Sequence, residues 1–111
     1  MLQISLQANE VLLLKIKGHI DPLQAKYLKR GITAAETQKV EAIILQLDTP
    51  GGLDESMREM MQSIMNSPIP VIVYIGPHGA RAASAGVFIT LAAHLSAMAS
   101  QTNLGAAHPV D

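Results

Sequence analysis

Ala42-Ile43-Ile44-Leu45-Gln46-Leu47-Asp48-Thr49-Pro50-Gly51-Gly52 runs from an almost unbroken apolar segment directly into a proline–glycine turn. The segment Ala42–Leu47 is too short for a typical helix and too continuous for a half-exposed strand. It reads as a strand covered on both faces, the kind found in parallel sheets. Beyond the turn, Leu53, Met57, Met60, Met61, Ile64 and Met65 fall on one helical face. Pro68 and Pro70 end that helix, and Val71-Ile72-Val73-Tyr74-Ile75 is a second buried strand. Toward the N-terminus, Val11–Lys17 reads as a strand, followed by Gly18-His19-Ile20 and then Asp21-Pro22. Asp as N-cap with Pro at the first helical position starts a helix that Leu28, Ile32 and Ala35 carry to about Gln38, with Gly31 weakening its middle. Toward the C-terminus, Gly76-Pro77-His78-Gly79 is a loop and a helix is expected from about Ala83. Strand and helix alternate, which implies α/β architecture with a mostly parallel sheet and right-handed crossovers.

The chain has 111 residues, 49% of them hydrophobic and 15% charged, with a net charge of −1 and no cysteine. One domain fits that length, and the composition excludes a disordered chain. The charge balance lacks the basic footprint of a nucleic-acid binder. Disulfides, thiolate metal sites and a cysteine nucleophile are excluded together. The four histidines show no ligand-like spacing, so no metal or other cofactor is implied. From Met60 to Val110 the only charged residue is Arg81, so this half is expected to be covered by other protein. No signal peptide is visible at the N-terminus. The window Ala82–Ala99 has the length of a membrane span, but it is dominated by Ala, Ser and Gly and lacks aromatic or basic anchors. It reads as a buried helix plus strand. Leu104 to Asp111 reads as a strand running into a loop, so residues 1–111 are expected to be a single, incomplete domain.

In an open parallel sheet, ligands gather outside the carboxyl ends of the strands, where Pro50-Gly51-Gly52 and the segment from Gly76 to Gly86 both fall. Within Ala82-Ala83-Ser84-Ala85-Gly86, a serine at the start of a helix has its hydroxyl near exposed N–H groups and the positive end of the helix dipole. Small neighbours admit a substrate backbone. The two readings of Ser84 are a helix N-cap and a nucleophile on a sharp strand-to-helix turn. Paired glycines at a strand end are either a plain tight turn or an oxyanion hole built from backbone N–H groups. The aspartic-protease signature Asp-Thr-Gly is broken by Pro50, and no phosphate-loop Gly-Lys-Ser/Thr follows the glycines.

Leu47-Asp48-Thr49-Pro50-Gly51-Gly52, Ile69-Pro70-Val71-Ile72-Val73-Tyr74, Gly79-Ala80-Arg81-Ala82-Ala83-Ser84-Ala85-Gly86, Ala93-His94-Leu95-Ser96-Ala97-Met98-Ala99 and Leu104-Gly105-Ala106-Ala107-His108-Pro109-Val110 occur in that order. Together they resemble the NfeD-like membrane-bound Clp-class serine proteases from about Val11 to the chain end. The resemblance implies the Clp-protease/crotonase fold, a spiral of ββα units, and a membrane-associated serine endopeptidase. By that resemblance Ser84 is the nucleophile, Gly51 and Gly52 are the oxyanion-hole glycines, and the Ala85 N–H is the second donor. The stretch after Gly52 would align a substrate peptide as an added strand. The implied partners are a peptide or membrane-protein substrate with apolar segments, a stomatin-like membrane protein, and further copies of the chain in a homo-oligomer.

A serine hydroxyl needs a base. The resemblance implies a lysine about forty residues beyond the serine, as in Ser–Lys variants of the triad. Lys15, Lys17, Lys26, Lys29 and Lys39 all precede Ser84, and none matches it. Soluble relatives use a histidine instead, for which His108 is the candidate by distance. His94 is expected to pack and hydrogen-bond. The alternatives are a non-catalytic interaction module that has lost its base, and a crotonase-type acyl-CoA enzyme. Ser84 within Ala-Ala-Ser-Ala-Gly argues for the protease branch over the latter.

Overall fold

The computed structural model describes residues 10–105. In chain order the elements are β1 (Val11–Lys17), α1 (Pro22–Gln38), β2 (Ala42–Asp48), α2 (Asp54–Met65), β3 (Val71–Ile75), β4 (Arg81–Ala83), α3 (Ala85–Ala92), β5 (Leu95–Met98) and β6 (Asn103–Gly105). Helix α1 starts where the Asp-Pro pair places it: Asp21 is extended and its carboxylate accepts the Gln24 N–H at 2.9 Å. Asp21→Ala should lower stability by about 1 kcal/mol, read as a shifted urea midpoint with an unchanged slope. An unchanged midpoint would show that the cap contributes nothing.

Four strands form a parallel sheet in the order β1-β2-β3-β5. Every second residue faces the helices. Leu14 pairs with Leu45 and Leu45 with Val73; Ile16 pairs with Leu47 and Leu47 with Ile75. These side chains are buried, joined from above by Leu28 and Ile32 of α1, Met60 and Ile64 of α2, and Ile89 of α3. The weak point of α1 has a purpose: a Cβ at Gly31 would lie 2.5 Å from Leu14 Cδ1, so glycine lets the helix settle onto β1.

Two expectations need correction. The methionine stripe of α2 is core, but narrower than the periodicity suggested. Met60 and Ile64 are fully buried, Met57 and Met61 partly so, while Leu53 and Met65 at the two ends are more than half exposed. The strand β2 is fully covered on one face only, since Ile44 and Gln46 on the other are half-buried.

The repeating pattern is a long strand, a short extended step, then a helix. After β1, Ile20 makes a parallel bridge to Gly52; after β2, Thr49 makes one to Ala82. After β3, the short step is β4, which pairs with β6, the step that follows β5. The short steps therefore line up beside one another at the carboxyl ends of the long strands. This places Gly52, Thr49, β4 and β6 in one small layer, with the glycine turn next to the serine.

Candidate active site

Strand β4 was not visible in the sequence, and it decides the site. It runs into Ser84 without a spacer, and α3 begins at Ala85, two residues later than the sequence suggested. Three residues rich in alanine carry no strand signal; their partners are distant in the chain. The Arg81 N–H donates to Asp48 Oδ1 at 3.1 Å, the Thr49 N–H donates to the Arg81 carbonyl at 2.7 Å, and the Ala83 N–H donates to the Thr49 carbonyl at 3.1 Å. The Ser84 N–H reaches the Gly105 carbonyl of β6 at 3.3 Å.

The reversal from β4 into α3 falls on Ser84 itself, with φ 54° and ψ −115°. An L-residue avoids this region because its Cβ crowds the backbone, at a cost on the order of 1–3 kcal/mol. Ser84 occupies the N-cap position of α3, as one of its two readings expected, but its hydroxyl makes no capping bond to the helix. Ser84 is exposed. Behind it, a Cβ at Gly86 would lie 2.7 Å from Thr49 Cγ2 and 3.2 Å from Ala82 Cβ, so α3 packs against β4 as closely as glycine allows.

Gly51 faces Ser84. A Cβ on Gly51 would lie 2.8 Å from Ser84 Cβ and 3.2 Å from its Oγ, and the φ of 116° already favours glycine. Its N–H is engaged, donating to Thr49 Oγ1 at 3.0 Å, while its carbonyl accepts the Ile20 N–H at 2.9 Å. Gly51 thus gives room beside the serine without offering a free donor. Gly52 differs. The bridge to Ile20 uses the Gly51 carbonyl and the Leu53 N–H, so the N–H of Gly52 has no acceptor among the described residues. The Ala85 N–H, at the first position of α3, also has none among them. Only Leu53 lies between Gly52 and the start of α2 at Asp54, so the extended stretch expected after Gly52 is a single residue.

Of the remaining candidates, His94 follows α3 and is a structural link. Its Nδ1 accepts the Val71 N–H at 3.0 Å and its own N–H donates to the Val71 carbonyl at 3.0 Å, tying the start of β5 to β3. His108 lies outside the described residues.

Residues 10–111 match the NfeD1b N-terminal domain family. The chain belongs to that family. It is 48% identical over 105 residues to the membrane-bound protease PH1510 of Pyrococcus horikoshii, and 34% identical over 105 residues to the membrane protein NfeD1b of Bacillus subtilis. Each match covers 95% of this chain, which spans about a quarter of either relative, 24% and 23% of their lengths. Among solved structures, a lysine-to-alanine variant of the stomatin-specific membrane-bound protease 1510-N, in complex with a substrate peptide, superposes with a TM-score of 0.90 at 48% identity. That match covers 93% of this chain and 47% of the other. ClpP1 of Listeria monocytogenes matches with a TM-score of 0.66 at 26% identity, over 73% of this chain and 46% of that one. The family fold is therefore the Clp-protease α/β fold. Both curated relatives are membrane proteins, and among the described residues here no helix is long and apolar enough to cross a membrane.

Proposed function

We propose that this domain carries the nucleophile and oxyanion hole of a membrane-associated serine endopeptidase. The observation that carries the reading is Ser84: an exposed hydroxyl on a strained strand-to-helix turn, facing a glycine and next to helix-start N–H groups. Strain of this kind persists where surrounding structure over-determines it, commonly at active sites.

In the reaction, Ser84 Oγ attacks the scissile carbonyl carbon as its proton passes to a base. The carbonyl oxygen gains negative charge and is held by the N–H groups of Gly52 and Ala85. The C–N bond then breaks, the base returns the proton to the leaving amine, and water releases the acyl group from Ser84 by the reverse sequence. The base we assign is a lysine about forty residues past Ser84, a position beyond Asp111. His108 is the alternative. The substrate class is a stomatin-like membrane protein, which the stomatin specificity of the 1510-N protease supports, and within it we assign an apolar segment.

The test is cleavage of peptides spanning the apolar segments of a stomatin-like protein by the full gene product, followed by mass spectrometry. Discrete products from an apolar segment are expected. A full gene product that binds these peptides and leaves them intact would overturn the protease reading in favour of a non-catalytic interaction module.

A further inference from the structure

Thr49 is fully buried, and each of its polar groups is committed. Its N–H and carbonyl bond to β4 on either side of Ala82, which fixes Thr49 against the strand leading into Ser84. Its methyl group lies against Gly86, in the first turn of α3. Its hydroxyl accepts the Gly51 N–H at 3.0 Å and donates to the Gly51 carbonyl at 3.3 Å. One side chain thus touches the nucleophile helix with one branch and both ends of Gly51 with the other.

We propose that Thr49 is a positioning residue for the oxyanion hole, an inference that rests on the serine-protease reading of the same site. Its hydroxyl fixes both peptide groups flanking Gly51, and this sets the direction in which the next N–H, that of Gly52, points. A hydroxyl that bonds the backbone two residues on is a recognised way to shape a turn. Here the same residue is anchored to β4, so the turn is held in register with Ser84. Without the hydroxyl, the Gly51 N–H lacks its acceptor, and the peptide can rotate to seek another. The Gly52 N–H, which shares a peptide group with the Gly51 carbonyl, then loses the direction the turn gave it. Because an oxyanion forms only in the transition state, the loss should fall on kcat and leave KM nearly unchanged.

Two variants separate the branches of the side chain. Thr49→Val keeps the shape and removes the hydroxyl; Thr49→Ser keeps the hydroxyl and removes the methyl. Both are assayed in the full gene product, with melting temperature and the rate of fluorophosphonate labelling measured alongside peptide cleavage. Thr49→Val is expected to lower kcat by about 10- to 100-fold with KM within about threefold of the parent. Thr49→Ser should retain kcat within about threefold while melting earlier, because Gly86 loses a packing partner. Equal losses in the two variants, or an unchanged kcat in Thr49→Val, would reduce Thr49 to a packing residue and overturn the proposal. A parent protein that neither labels nor cleaves would overturn the protease reading, and this inference with it. Labelling in the parent and in Thr49→Val at the same rate, with equal cleavage, would overturn the inference alone.

Discussion

Ser84→Ala in the full gene product is expected to lower kcat/KM for a cleavable peptide by about 10⁴-fold or more, the usual consequence of removing a catalytic nucleophile. The fold should survive, since the exposed hydroxyl forms no capping bond and its loss leaves no buried group unpaired. The backbone makes a further distinction. At φ 54° alanine is as strained as serine, whereas glycine is not. Ser84→Gly should therefore be more stable than Ser84→Ala by about 1 kcal/mol, after allowing for glycine's greater freedom in the unfolded chain. Both should be equally inactive. Stability gained together with activity lost is the signature of strain kept for function. If Ser84→Gly were the less stable of the two, the turn would not be strained in the way described.

Gly52→Ala should have the second large effect, on stability first. A Cβ there would overlap the Ile20 carbonyl oxygen and sit 2.5 Å from the Ile20 nitrogen. Both are backbone atoms and cannot move aside by changing rotamer. The neighbouring bonds, from the Ile20 N–H to the Gly51 carbonyl and from the Leu53 N–H to the Ile20 carbonyl, are each 2.9 Å long and would be lost together. A loss of about 3 kcal/mol or more is expected in urea unfolding. Where folded protein remains at low temperature, kcat should be about 10²–10³-fold lower, because the Gly52 N–H moves with the turn. A variant that matched the parent in both measurements would contradict the close approach of the two segments. By comparison, the Cβ of Gly51→Ala meets the Ser84 side chain first and the Ala83 carbonyl oxygen at 3.3 Å, and the φ of 116° strains any L-residue there, so stability and activity should both fall.

The long elements of the fold were readable because local chemistry and tertiary environment agree there. Asp21-Pro22 starts α1, Pro68 and Pro70 follow α2, and the apolar runs at Ala42 and Val71 become β2 and β3. The segment Ala82–Ala99, long enough for a membrane span, resolves into the end of β4, α3 and β5, so it is helix plus strand as expected, but the strand is exposed rather than buried. What could not be read depends on contacts far apart in sequence. Strand β4 exists because Thr49 and Asn103 lie on either side of it, and nothing in Arg81-Ala82-Ala83 requires a strand. The conformation of Ser84 follows from β4 and α3 meeting without a spacer, so a segment that reads as an ordinary helix start becomes a strained turn. The paired glycines looked equivalent as Pro50-Gly51-Gly52. Only the structure separates them, into one glycine whose N–H is held by Thr49 and one whose N–H is free among the described residues. The role of the Thr49 hydroxyl had a signal, a threonine two residues before a glycine in a turn, but that signal is common.

The C-terminal half of the sequence, poor in charge, carries exposed apolar side chains in the structure: Leu91 is 70% exposed and Leu95 66%. All four residues of β5, at one edge of the long-strand sheet, are exposed.

If Ser84 is the nucleophile, a serine-reactive probe forms its covalent adduct there, and the position of that adduct can be read residue by residue. The full gene product is treated with a fluorophosphonate, digested, and sequenced by tandem mass spectrometry. One phosphonylated residue, Ser84, is expected in stoichiometric yield, with the adduct prevented by prior incubation with a cleavable apolar peptide. An adduct on any other residue, or an unmodified Ser84 in protein that is cleaving peptide, would contradict that role for Ser84.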